Sequence, residues 1–190
     1  MITVKSVNVI SITDLLAADG LASGTLAGRR VLCRLIERLA GLEPGPFFLD
    51  FSATPTATAS FLRETVLALR TYVLEFASGL YPVVANAGDA IVNDIEAVLE
   101  NRKDSLVVCQ LAAGEVLDVR VLGPLDPTLE RTLQSVRSRR DLTVGELAKA
   151  VPERIGAAAW HNRLSMLCRR GLIIADGGKP ARYRFVLESP

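Results

Sequence analysis

Thr143-Val-Gly-Glu-Leu-Ala-Lys-Ala-Val-Pro-Glu-Arg-Ile-Gly-Ala-Ala-Ala-Trp-His-Asn-Arg-Leu-Ser-Met-Leu-Cys-Arg-Arg-Gly171 decides the reading of the C-terminal third. Thr143 is a good N-cap, and Glu146 three residues on completes a capping box. The spacing therefore predicts a short helix over Val144–Val151. Pro152-Glu-Arg-Ile-Gly156 reads as a turn. A second helix is predicted from Ala157 to Arg170, stopped by Gly171. On a helical wheel Ala157, Trp160, Leu164, Leu167, Cys168 and Gly171 share an inward face. Ala158, Asn162, Ser165, Met166 and Arg169 fall opposite, flanked by His161 and Arg163.

Working outward, Pro127–Arg137 carries Leu129, Leu133 and Val136 at helical spacing. On the other side, Leu172-Ile-Ile174, Asp176-Gly-Gly-Lys-Pro180 and Arg182-Tyr-Arg-Phe-Val186 read as strand, tight loop and strand. The order is helix, helix, turn, helix, hairpin. Across residues 126–187 this resembles the winged helix-turn-helix superfamily. The matching words are Leu142-Thr-Val-Gly-Glu-Leu-Ala148, Ala159-Trp-His-Asn-Arg-Leu164, Arg170-Gly-Leu-Ile173 and Tyr183-Arg-Phe185. The resemblance implies binding of double-stranded DNA. Ala158, His161, Asn162, Ser165 and Arg169 would then meet the major groove, where Asn reads adenine and a small residue allows close approach. Lys179, Arg182 and Arg184 would lie on the wing, toward phosphates or the minor groove. Each has a plainer alternative. His161 and Asn162 also suit a solvated helix face, Arg169 and Arg170 suit any helix C-terminus, and Arg184 suits a solvated strand. Some winged helices bind protein instead.

The charge is uneven. Residues 1–123 carry 10 Lys+Arg and 14 Asp+Glu, net −4, and residues 124–190 carry 12 and 7, net +5, which sum to the +1 of the chain. A basic segment behind an acidic one suggests that only the former meets a polyanion. The composition shifts at Leu122-Gly-Pro-Leu-Asp-Pro127, so two domains are expected, 1–123 and 124–190.

In the first segment Val4–Ile12 alternates like one or two short strands. Leu26, Val31, Leu35, Ile36 and Leu39 mark a helix, and Phe47–Phe51 is an apolar run suited to a buried strand. Phe61, Leu62, Val66, Leu69, Val73 and Phe76 mark a long helix. Tyr81–Ala85 is strand, Ile91–Leu99 helix, and Leu106–Leu111 and Val116–Leu122 strands joined by a turn at Ala113-Gly-Glu115. Such alternation predicts an α/β domain, a mixed sheet with helices packed on it.

Leu49-Asp-Phe-Ser52 followed by Ser60-Phe-Leu-Arg-Glu64, with the Tyr81-Pro-Val-Val-Ala-Asn86 strand, resembles the STAS-like family of unknown function. That family is related to the bacterial anti-sigma-factor antagonists, and the likeness runs roughly from Leu26 to Leu111. It implies a small α/β module that binds partner proteins or dimerises. In the antagonists a serine at a helix start after the Asp strand is phosphorylated. Ser60 lies ten residues after Asp50, at a similar spacing. The Asp-Ser-Ser-Gly type sequence is replaced by Thr58-Ala-Ser-Phe61, so Ser60 or Thr58 also suits an ordinary N-cap. Asp50, at a strand end, suits accepting bonds from the next turn. The stretch around Ser23-Gly-Thr25 and Gly28-Arg-Arg30 lacks a phosphate-loop pattern and reads as a loop and a solvated helix face.

Three scattered cysteines, Cys33, Cys109 and Cys168, and the single His161 exclude the common zinc spacings, so no metal or cofactor is expected. The cysteines read as small buried hydrophobes in a reducing compartment. No apolar run reaches membrane-span length, and no signal peptide pattern opens the chain, so a cytoplasmic protein is expected. Scattered acids such as Asp50, Glu64 and Asp94 form no catalytic pattern, and an enzyme is not expected. The leading expectation is a bacterial-type, DNA-binding transcription regulator whose STAS-like domain binds a partner or forms a homodimer. The alternative is a regulatory interaction module. Its STAS-like domain would dock on a kinase-like ATPase or another switch protein, and its winged helix would be a protein adaptor.

Overall fold

The computed structural model describes residues 2–3, 8–18, 20–77, 79–151, 153 and 155–188. The chain divides into two units, Met1–Pro124 and Leu125–Pro190.

The first unit contains β1 (Ile2–Thr3), β2 (Asn8–Ser11), a 3-10 turn (Thr13–Leu15), α1 (Gly24–Leu39) and β3 (Gly45–Asp50). A long helical stretch follows, made of α2 (Ala59–Leu62), a π-helical segment (Arg63–Leu67) and α3 (Ala68–Phe76). Then come β4 (Leu80–Ala85), α4 (Asp89–Arg102), β5 (Leu106–Ala112) and β6 (Glu115–Leu122). The strands form one mixed sheet in the order β1-β6-β5-β4-β3-β2. β2, β3, β4 and β5 run parallel, and β6 and β1 are antiparallel additions. The unit is thus α/β. Of the strand expected over Val4–Ile12, residues 4–7 lie outside the described ones.

Alternation along the strands explains the core. Ile10, Leu49, Val84 and Val108 are register partners on one face. They join Val31 and Leu35 of α1, Phe61 and Leu62 of α2, and Ile91 and Ile95 of α4 in one apolar cluster. The alternate residues Phe48, Val83 and Val107 are buried as well. Burial on both faces is why these strands read as continuous apolar runs rather than alternating ones. The β5–β6 turn consists of Ala113 and Gly114, both at positive φ (50° and 80°), between the paired Ala112 and Glu115. That is the backbone a two-residue hairpin needs.

α1 packs tightly at Gly28 against Phe61 of α2 and Glu64 of the π-helical segment. A Cβ on Gly28 would stand 2.9 Å from both the Phe61 carbonyl oxygen and the Glu64 Cβ. The Phe61 carbonyl also accepts the hydroxyl of Thr65. Gly28 is thus buried helix contact, not part of an anion-holding loop.

The second unit contains α5 (Pro127–Arg139), β7 (Leu142–Thr143), α6 (Val144–Ala150), α7 (Ala157–Arg169), β8 (Ile173–Ala175) and β9 (Arg182–Phe185). The three strands form an antiparallel sheet in the order β7-β9-β8. Asp126 caps α5 by accepting from the Thr128 N–H, and Pro127 occupies its first turn. Thr143 and Glu146 make both bonds of a capping box. Leu129, Leu133, Val136, Leu147, Trp160, Leu164, Leu167, Tyr183 and Phe185 are buried. In the stretch between α6 and α7, Pro152 and Arg154 lie outside the described residues.

Candidate nucleic-acid interface

α7 is built to present one side. Alanines open it, no acidic residue occurs in it, and Trp160, Leu164 and Leu167 turn inward. Its end is closed by bonds from the Gly171 N–H to the Cys168 carbonyl (2.8 Å) and from the Leu172 N–H to the Leu167 carbonyl (3.1 Å). Ala158, His161, Asn162, Ser165, Met166 and Arg169 are exposed. They recur at intervals of three and four residues and so share a face. Ala157, expected inward, is exposed too, because it stands in the first turn beyond the residues that α7 packs on.

Arg163 does not join that face. Its guanidinium meets the Glu153 carboxylate at 2.6 Å and lies 5.1 Å from the Trp160 ring centroid. Arg131 of α5 reaches the same carboxylate at 3.4 Å. Arg163 therefore fastens α7 to its neighbours.

The hairpin between β8 and β9 is held by Asp176. Its carboxylate accepts from the backbone N–H groups of Gly178 (3.0 Å) and Arg182 (2.8 Å). These bonds hold the carboxyl below the usual range, the bond from Arg182 contributing most. Lys179 is exposed in the loop. Arg182 has another task. Its Nε donates to Asp141 Oδ2 at 2.7 Å and its Nη2 to the Asp141 carbonyl at 2.6 Å, and Glu146 Oε2 lies 3.7 Å away. The hydrogen bond to Asp141 leads the influences that raise its pKa. The base of the hairpin thus holds one cation among three carboxylates, Asp141, Glu146 and Asp176. Arg184 is half-buried, and its Nε is buried with no partner.

In the first unit Asp50 closes the end of β3. Its carboxylate accepts from the Ser52 N–H (3.0 Å), the Ser52 hydroxyl (2.8 Å) and the Asn86 amide (2.9 Å). The Asn86 side-chain oxygen in turn accepts from the Leu111 N–H at 2.8 Å. Asp50 and Asn86 thereby join the ends of β3, β4 and β5. Thr58, not Ser60, is the N-cap of α2: its hydroxyl accepts from the N–H groups of Phe61 (3.4 Å) and Gly24 (3.0 Å). Ser60 is half-buried in the first turn, its hydroxyl 3.1 Å from that of Thr58.

The other candidates stay apart. Glu64 pairs with Arg29 at 3.0 Å and Arg63 at 3.2 Å, whose bonds hold its carboxyl low. Asp94 lines a surface hollow with Leu21, Ser23 and Thr58. Among the described residues no group of three or more His, Cys, Asp or Glu is placed to hold a metal ion, and no helix is long and apolar enough to cross a membrane. Burial pushes the thiol of Cys109 up to about 12 and that of Cys168 to about 11. Cys33, expected to be buried, is exposed. It falls between Val31 and Leu35, and the inward stripe of α1 runs through those two.

Neither a protein-family model nor a curated protein sequence matches this chain. One feature of the second unit escaped the sequence: the Asp141–Arg182 pair spans 41 residues and left no local signal.

Proposed function

We propose that residues 125–190 are a winged helix-turn-helix that binds double-stranded DNA, and that the protein is a transcriptional regulator. In this reading α7 enters the major groove, and the β8–β9 hairpin is the wing. The observation that carries the reading is the exposed face of α7. It offers small Ala158, hydrogen-bonding His161, Asn162 and Ser165, and cationic Arg169, with no carboxylate anywhere in the helix. Such a face approaches a polyanion without repulsion and brings donors and acceptors to base edges. Lys179, exposed in the β8–β9 loop, is the wing cation offered to a phosphate.

The first unit is read as a STAS-like module that docks a partner or dimerises. Support comes from its parallel β–α succession and from Leu21 and Leu26, 61% and 63% exposed. A homodimer would protect two half-sites about one helical turn apart. Met166, 45% exposed on the α7 face, favours the alternative that this face meets protein. Nuclease footprinting on duplexes that include the gene's own upstream region separates the two. Discrete protected segments are expected, and a featureless ladder on every duplex would sink the DNA reading.

A further inference from the structure

We propose that the first unit carries a binding pocket for a small amphipathic carboxylate, seated between α1 and the segment that leads into it. The pocket has a volume of about 280 Å³. Its walls include Leu15, Leu16, Leu21, Ala27 and Val31, with Ser23 among the lining residues. Two cations complete it, Arg30 and Arg34.

Charge selects the occupant. Arg30 and Arg34 stand four residues apart on α1, so their side chains share a face and repel each other. Arg34 is held in place: its Nη1 donates to the carbonyls of Leu15 (2.8 Å) and Leu16 (3.3 Å), which ties the 3-10 turn to the helix. Those carbonyls carry no net charge, and Arg34 forms no ion pair among the described residues. Arg30 has no hydrogen bond or ion pair among the described residues. No carboxylate lines the pocket among them either; Asp94 lines an adjoining hollow that shares Leu21 and Ser23 with it. An anion at Arg30 relieves the repulsion and gains a charge-assisted bond. The apolar walls demand that this anion carry a hydrocarbon body. A medium-chain monocarboxylate satisfies both, whereas inorganic phosphate satisfies only the first. Gly24 beside the pocket donates its N–H to Thr58 Oγ1 at 3.0 Å, so the entry to α1 is fixed to the start of α2 rather than left open.

The test uses the full-length ¹⁵N-labelled protein and sodium octanoate, with octylammonium and inorganic phosphate in parallel. It needs no DNA, so it stands or falls apart from the regulator reading. Octanoate is expected to shift amides within residues 15–34 saturably, and octylammonium and phosphate are expected to leave them in place. Arg30→Gln, an exposed change that does not threaten the fold, should weaken octanoate by about tenfold, the loss of one charge-assisted bond. Absent or unsaturable shifts at residues 15–34, equal effects from octylammonium, or undiminished binding by Arg30→Gln would each overturn the proposal.

Discussion

Arg182 of β9 grips Asp141 twice, through the carboxylate at 2.7 Å and the main-chain carbonyl at 2.6 Å. Asp141 stands just before β7, so this contact pins the hairpin to the start of the strand that feeds α6. A guanidinium held this way, with Glu146 and Asp176 nearby, is poorly placed to neutralise a phosphate. Arg182→Ala is therefore expected to leave the salt dependence of DNA binding unchanged while loosening the hairpin. Lys179→Ala should lower the slope of log K against log salt by about 0.9. Binding isotherms at several salt concentrations, with amide exchange across residues 176–185, check both. An equal loss of slope in the two variants would return Arg182 to the phosphate contacts.

Asn162 lies in the middle of the exposed α7 face. Its side chain can pair twice with an adenine edge, which is worth about 1–3 kcal/mol of discrimination. Asn162→Ala is expected to bring preferred and mutated operators to similar affinity with little change in salt slope. Competition binding against single-base operator variants measures this. A uniform loss on every duplex would place Asn162 at the backbone instead.

Acid should destabilise the second unit in a defined direction. Asp126 is held below its ordinary range chiefly by its bonds from Thr128, Glu146 by its bonds from Thr143, and Asp176 by the N–H groups of Arg182 and Gly178. A lowered carboxyl stabilises the fold above its unfolded value, and that stability is lost as pH falls through the folded value. Glu188 works the other way: burial raises it, so its contribution is lost as pH rises through its folded value. Trp160, the single tryptophan, is buried in this unit and reports its unfolding. Its denaturation midpoint should fall as pH drops from about 5 to about 3. Glu188→Gln should raise the midpoint at neutral pH and leave the acid limb in place.

Gly28 permits the close crossing of α1 and the helix that carries Phe61. A methyl group there meets a backbone oxygen at 2.9 Å, which no side-chain rotation relieves. Gly28→Ala should cost about 1–3 kcal/mol in urea denaturation, the usual scale of overpacking. A neutral result would mean that α1 shifts freely over the π-helical segment.

Much of this architecture was legible because its causes are local. The capping box of Thr143 and Glu146, the 3-4 spacing of Trp160, Leu164 and Leu167, and the apolar run at Phe47–Leu49 each follow from neighbours in sequence. The α/β class follows from the alternation of such segments. What was not legible depends on distant partners. The close crossing at Gly28 needs Phe61 and Glu64 of another helix, and the seam across three strand ends depends on Asn86 meeting Asp50. At the candidate interface, the outward set on α7 could be drawn on a wheel. The roles of Arg163 and Arg182 could not, since Glu153 and Asp141 had first to be brought beside them.

The second unit is proposed to hold DNA through α7. Fluorescence anisotropy of labelled duplex from the gene's own upstream region, against an unrelated duplex and at two salt concentrations, tests it most directly. Tight, sequence-selective binding that weakens with salt is predicted for the full chain, with selectivity reduced by Asn162→Ala. Binding no tighter than to the unrelated duplex, and unmoved by Asn162→Ala or Lys179→Ala, would contradict it.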